Sequence, residues 1–194
     1  MNKTSMLLGL HLLLLVSAGI HAGMMYAAMP DQMAAHFGGG GQPNGWMSKQ
    51  AMFGLYAGLL ITETVLFMGL AFLLAYVPTS LINMPHKEIW LAEPHRDATL
   101  RTLRDQMLLF GVVTCVFLIG VMVMVMDANV KPPPVLDETT FLIALIGFLA
   151  FTLVWCVGLM LRFRKPPEVA SDDDFAATDD AQASPQADDS AASF

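Results

Sequence analysis

The sequence predicts an all-α integral membrane protein of four transmembrane helices, N-in and C-in, with an ordered outer loop between helices 1 and 2. Three observations predict it. Four apolar runs, roughly Met6–Ala28, Met52–Val77, Met107–Met126 and Thr140–Leu161, each reach the ~20 residues that ~30 Å of hydrocarbon requires. Hydrophobic residues make up 55% of the 194-residue chain and charged residues only 14%, a balance foreign to soluble domains of this length. The basic residues are also lopsided. Lys3, then Lys87, Arg96, Arg101 and Arg104, then Arg162, Arg164 and Lys165 fall on one side of an alternating path, and only Lys49 and Lys131 on the other. Lys and Arg collect in cytoplasmic loops, so both termini and the middle loop are expected inside.

Each run is expected to be a helix, because backbone in lipid must satisfy its own hydrogen bonds. The first run has features of a secretory signal: Lys3, a leucine-rich core, then small residues at Ser17-Ala18-Gly19 and Ala22-Gly23. Its apolar character continues to Ala28, which favours a retained helix. Residues 1–161 thus read as one four-helix domain, with an outer loop at 29–51 and a cytoplasmic loop at 78–106. Within the latter, Ile89-Trp90-Leu91 suits the membrane interface and Pro94 the first turn of a helix. Leu100, Leu103, Met107 and Phe110 then recur on one helical face, running into the third span. Lys131-Pro132-Pro133-Pro134 makes a stiff outer connector.

Residues 162–194 read as a basic stop followed by a disordered acidic cytoplasmic tail. Residues 168–194 hold eight of the seventeen acids and no Lys or Arg, and few large apolar groups that could form a core. Without the tail, nine acids face ten bases, so the net charge of −7 belongs to the tail. No basic face remains to neutralise phosphates, which argues against a nucleic-acid partner.

The outer loop Met29–Lys49 is the first polar break in the chain. Its order is Met29-Pro30, His36-Phe37-Gly38, Gly41-Gln42-Pro43-Asn44-Gly45-Trp46, Ser48-Lys49. That pattern resembles the uncharacterised bacterial membrane domain that begins the SdpI-type immunity proteins. The stretch Ile82–Ala92, INMPHKEIWLA, is similar to a second segment of stand-alone members. The resemblance implies a short single-domain member in the cell inner membrane, with a toxin peptide or another membrane protein as partner. Asn44 stands where Asp is frequent in that family. The longer immunity proteins continue into further spans, and the family supplies no catalytic residues to carry over.

Read physically, Pro43-Asn44-Gly45 is turn chemistry, and Gly38–Gly41 allows a bend or a close approach. Phe37 and Trp46 suit the outer interface. The loop is not a phosphate-binding loop, since no Gly-Lys-Ser/Thr follows its glycines. Pro30, His36, Phe37, Gly38, Gly41, Pro43, Gly45, Trp46 and Lys49 are the candidate binding residues. An ordered cap over the helix ends is the simpler use of the same residues.

Glu63 is the sharpest intramembrane residue. It lies ~16 Å into the second run, near the bilayer centre, where an ionisable group is costly and faces the bundle interior. His21, ~10 Å deep in the first run, is the expected partner, with His11 deeper and a poorer match. Two readings stay open: a proton-sensitive His21–Glu63 pair, or a protonated Glu63 hydrogen-bonded to a hydroxyl such as Ser17.

Spans two to four contain no His, so a cross-helix bis-His haem site is excluded. Nine of the fifteen methionines fall at the outer side, between Met24 and Met52 and between Met122 and Met126. Thioethers suit Cu(I), yet Met is also an ordinary filler of apolar gaps. His86, Glu88, Glu93 and His95 show no metal-binding spacing. No cofactor or metal is expected. Cys115 and Cys156 are expected as packed, reduced thiols, since neither belongs to a CxxC motif. No Ser-His-Asp, Cys-His or paired-carboxylate pattern is present, so an enzyme is not expected. The resulting expectation is a non-catalytic binding or regulatory protein that recognises or excludes a ligand at the outer leaflet. The alternative is a proton- or ion-coupled transport component using Glu63 and His21.

Overall fold

The chain is described here by a computed structural model covering residues 2–165; the expected acidic tail lies outside the described residues. Four helices are long and apolar enough to cross a membrane: α1 (Lys3–Tyr26), α2 (Lys49–Leu73, extended by a 3-10 turn to Tyr76), α4 (Arg96–Val130) and α5 (Glu138–Phe163). A single short turn of helix, α3 (Lys87–Trp90), precedes α4. The helix expected to run into the third span is α4 itself, beginning at Arg96 and continuous for 35 residues.

Helix α4 is the axis of the bundle, packing against each of the other three spans, while α1 and α2 touch one another only slightly. Its inward residues include Leu103, Leu108, Gly111, Val112, Cys115, Met122 and Met126. Helix α5 buries only its last residue, Phe163, and turns Ile143, Ile146, Leu153, Val154 and Met160 outward, as a lipid-facing helix does. Cys156 lies on that outward surface, so only Cys115 is a packed thiol. One face of α5 meets α4, through Trp155 Nε1 donating to Gln106 Oε1 at 2.9 Å and ring packing of Phe110, Phe148 and Phe151. Cys156, the next residue after Trp155, is rotated out of that contact.

Side-chain caps fix three of the helix starts; at α1 Asn2 accepts from the Ser5 amide. Ser48 accepts from the Ala51 amide, so α2 begins at Lys49, three residues before the apolar run at Met52. Asp137 accepts from the Thr140 amide and hydroxyl at the start of α5, and these bonds hold its carboxyl below the usual carboxylate range.

Antiparallel strands β1 (Gln32–Phe37) and β2 (Pro43–Ser48) form a hairpin from the loop between α1 and α2. Its turn is Gly39–Gly41, with Gly40 and Gly41 at φ of 72° and 70°. The expected turn residues Pro43, Asn44 and Gly45 belong instead to β2. The positive-φ positions fall in the glycine run, which takes up that conformation at no steric cost. Gly45 is needed for a different reason: a Cβ there would lie 3.0 Å from the His36 ring, which packs across it. The register slips once on either side of His36, so Ala35 on β1 and Asn44 on β2 have no paired partner.

The hairpin is fastened to the ends of α4 and α5. Asn129, near the end of α4, accepts from the Ala34 amide at 2.7 Å and donates to the Ala34 carbonyl at 3.0 Å. At the tip, the Leu136 amide donates to Gly41 O at 2.9 Å and the Gly40 amide to Glu138 Oε2 at 2.8 Å. A side chain at Gly41 would run into the Leu136 carbonyl. Gly41→Ala is therefore expected to undock the tip, seen as faster proteolysis within 131–137. Gly39→Ala, with open space around it, should leave cleavage unchanged. The positive φ alone costs alanine about 1–2 kcal/mol.

At the opposite end the Thr4 hydroxyl donates to Asp105 Oδ1, and Trp90 Nε1 donates to the Phe163 carbonyl at 3.2 Å. The starts of α1 and α4 thus share one end with the finish of α5, and the hairpin and the 131–137 connector share the other.

Candidate functional site

Two places concentrate the unusual residues: the hairpin end and a polar cluster in mid-bundle. At the hairpin end the nine expected binding residues do not form a single site. His36, Phe37, Gly38 and Gly41 line a groove of about 380 Å³ between β1, α4 and α5, closed by Val121, Val125, Leu136, Glu138, Phe141 and Leu142. Pro30 and Trp46 line a second groove of about 400 Å³ on the other side of the hairpin, against Asn129, Val130, Pro132 and Pro134. Ala35, at the register slip, lines the first groove and not the second. Pro43 and Gly45 shape the hairpin through their pairing with Phe37 and His36.

Lys49 is committed to structure. Its ammonium donates to the Met29 carbonyl at 3.2 Å, pairs with Asp31 at 3.5 Å and stands 4.9 Å above the Tyr26 ring. It ties the start of α2 to the end of α1. Beneath the hairpin, Met29, Met33, Met52, Met122 and Met126 pack with Ala18, Tyr56 and Leu60 into one apolar core. Five of the nine methionines expected at the outer side are thus core filler, in keeping with the pliable shape of the side chain.

The mid-bundle cluster corrects an expectation. Glu63 meets His11, not His21: His11 Nε2 lies 3.2 Å from Glu63 Oε2. The reason lies in the helix boundaries. Because the Ser48 cap starts α2 at Lys49, Glu63 is fourteen residues in, about 21 Å deep. Counting from Tyr26 at the end of α1, His11 is fifteen residues in, about 22 Å, whereas His21 is only five, about 8 Å. Depths counted from the apolar runs placed Glu63 too shallow and His21 too deep. His21 is half-buried and lies well toward the hairpin.

His11 Nε2 also lies 3.1 Å from the Thr64 hydroxyl, which donates to Leu60 O at 2.7 Å. The hydroxyl beside Glu63 is thus Thr64; Ser17 bonds back to Leu13 O on its own helix. Cys115 of α4 completes the cluster, its sulfur within 4.8 Å of ligand atoms of His11 and Glu63. All three side chains are buried, and Glu63 Oε1 has no hydrogen-bond partner among the described residues. Opposite it, Gly111 leaves room for the carboxyl: a Cβ there would lie 3.5 Å from Oε1 and 2.8 Å from the Phe67 Cβ. Sequence spacing could not reveal this set, because each member comes from a different helix. Imidazole, carboxylate and thiol together are a donor set that can hold a metal ion.

A third feature was not legible beforehand. At the end away from the hairpin, α2, α4, α5 and the 74–85 loop enclose a groove of about 690 Å³, with Leu70, Leu74, Leu103, Met107 and Phe163 in its wall. Asn83 is the one polar side chain lining it. Such a surface matches an acyl chain but offers little to fix a polar ligand.

Fold and site define a multi-pass helical membrane protein with an extramembrane hairpin and an intramembrane polar cluster. Residues 12–60 match the family model described as a domain of unknown function, DUF1648. The matched stretch takes in most of α1, the whole hairpin and the first half of α2, and stops short of both His11 and Glu63. No curated protein and no solved structure matches the chain.

Proposed function

We propose that the protein is a non-catalytic binding or regulatory membrane protein related to the SdpI-type immunity proteins. In this reading it lies in the bacterial inner membrane with the hairpin outside, where it recognises or excludes a toxin peptide or another membrane protein at the outer leaflet. The observation that carries the reading is the groove between β1, α4 and α5. Its walls are apolar, from Phe37, Val121, Val125, Leu136 and Phe141, with His36 and Glu138 as the polar side chains of the lining. The hairpin is fastened at Ala34, Gly40 and Gly41, so its groove wall is set before a ligand arrives.

A second reading, an ion-coupled transport component, is favoured by the His11–Glu63 contact deep in the bundle. Complementation separates the two. Cells lacking the protein should become sensitive to membrane-active peptides. Binding in this groove predicts that Phe37→Ala fails to restore resistance while Glu63→Gln restores it. The opposite pattern supports transport, and a deletion without any phenotype toward peptides removes the immunity reading.

A further inference from the structure

We propose that His11, Glu63 and Cys115 form a transition-metal site suited to Zn²⁺, built where α1, α2 and α4 meet. Four observations converge on it. The ligand atoms lie within 4.8 Å of one another, and the His11 Nε2 to Glu63 Oε2 separation is already 3.2 Å. Bonds of about 2.0–2.3 Å in a tetrahedral zinc site set donors roughly 3.3–3.7 Å apart, so the cluster needs only a small contraction. The three side chains are almost wholly shielded, at 1%, 6% and 0% exposure. Glu63 Oε1 is buried with no partner among the described residues, a cost of about 1–3 kcal/mol for a polar group that a bound cation would remove.

The donor chemistry narrows the ion. A thiolate with an imidazole and a carboxylate is a borderline-soft set that suits Zn²⁺ or Co²⁺ and not Mg²⁺ or Ca²⁺, which take oxygen. Charge points the same way. Zn²⁺ with one thiolate, one carboxylate and a neutral imidazole sums to zero, so no net charge is buried at mid-membrane depth. Zn²⁺ displaces two protons, the Cys115 thiol proton and the one held between His11 Nε2 and Glu63 Oε2; both leave to solvent, and His11 coordinates through Nε2 with its remaining proton on Nδ1. Three protein donors leave a fourth position open, as in sites that exchange a ligand, unlike the closed four-donor sites that only hold a fold. Thr64 Oγ1 lies 3.1 Å from His11 Nε2, beside the three donors.

The assignment rests on these side chains and on neither functional reading above; failure of the hairpin to bind a peptide leaves it standing. The test uses the full chain in detergent with Co²⁺ as the probe. The expected result is one Co²⁺ per chain, with visible ligand-field bands and a near-ultraviolet thiolate-to-cobalt band, both erased by Zn²⁺. Only two cysteines exist, so retention of the thiolate band in Cys156→Ala assigns it to Cys115 without relying on a Cys115 variant. His11→Ala and Glu63→Gln should each weaken binding by more than roughly tenfold, at least as much as loss of an outer-shell partner costs. Absence of the thiolate band from the wild-type chain, or its loss in Cys156→Ala, overturns the proposal.

Discussion

Asn129→Ala is expected to release the hairpin from the bundle at a cost of about 2–6 kcal/mol. Asn129 acts as a one-residue strand. Its carboxamide oxygen takes the Ala34 amide and its nitrogen gives to the Ala34 carbonyl, as a neighbouring strand's backbone would. Ala34 has no exposed surface, so water cannot replace either bond once the side chain is truncated. Two buried backbone groups are then left unpaired, each worth roughly 1–3 kcal/mol. The carboxamide also bonds Val125 O one turn earlier, which fixes its orientation. Asn129→Asp should be no better than alanine, because it sets an oxygen against the Ala34 carbonyl. Hydrogen exchange read by mass spectrometry provides the check. Peptides covering residues 30–48 should exchange faster in the variant while those from α2 and α5 keep their protection. Unchanged exchange at 30–48 would show that the apolar core beneath the hairpin holds it unaided.

The same bond explains why the hairpin was harder to read than the spans. A span advertises itself, since lipid demands about twenty apolar residues and a helix follows from backbone hydrogen bonding. The strands carry no such signal. Gln32-Met33-Ala34-Ala35 and Pro43-Asn44-Gly45 are poor strand formers, and the pairing is stabilised by a residue 95 positions away in sequence. The Pro-Asn-Gly triplet looked like the turn, yet Gly40 and Gly41 hold the positive φ angles, and Gly45 serves only to let His36 lie flat. The mid-bundle cluster was half legible. Glu63 stood out because an acid in an apolar run needs an account; its partner depended on where α2 starts, which the Ser48 cap decides and hydropathy does not. Cys115 offered no signal at all, because it joins His11 and Glu63 only through the packing of α1 and α2 on α4.

That packing leads to the second large effect. Gly111→Val should cost more than the roughly 1–3 kcal/mol typical of an overpacked core, and should open the cluster as it does so. A Cβ at Gly111 would lie 2.8 Å from the Phe67 Cβ, and neither atom belongs to the movable end of a side chain. Helix α2 must therefore shift away from α4, taking Glu63 with it. In a Cys156→Ala background Cys115 is the sole thiol, and its burial protects it from a small maleimide in the wild-type packing. The Gly111→Val chain should react much faster, and its thermal midpoint in detergent should fall. Gly120 offers the matching control on the same helix. No atom lies within 4 Å of a Cβ built there, so Gly120→Ala gains helix propensity of up to about 1 kcal/mol without a clash. Opposite signs at the two glycines would mean that Gly111 is present for close approach of α2 to α4, and that Glu63 and Cys115 are held together by it. Equal effects at both would instead attribute its role to helix flexibility.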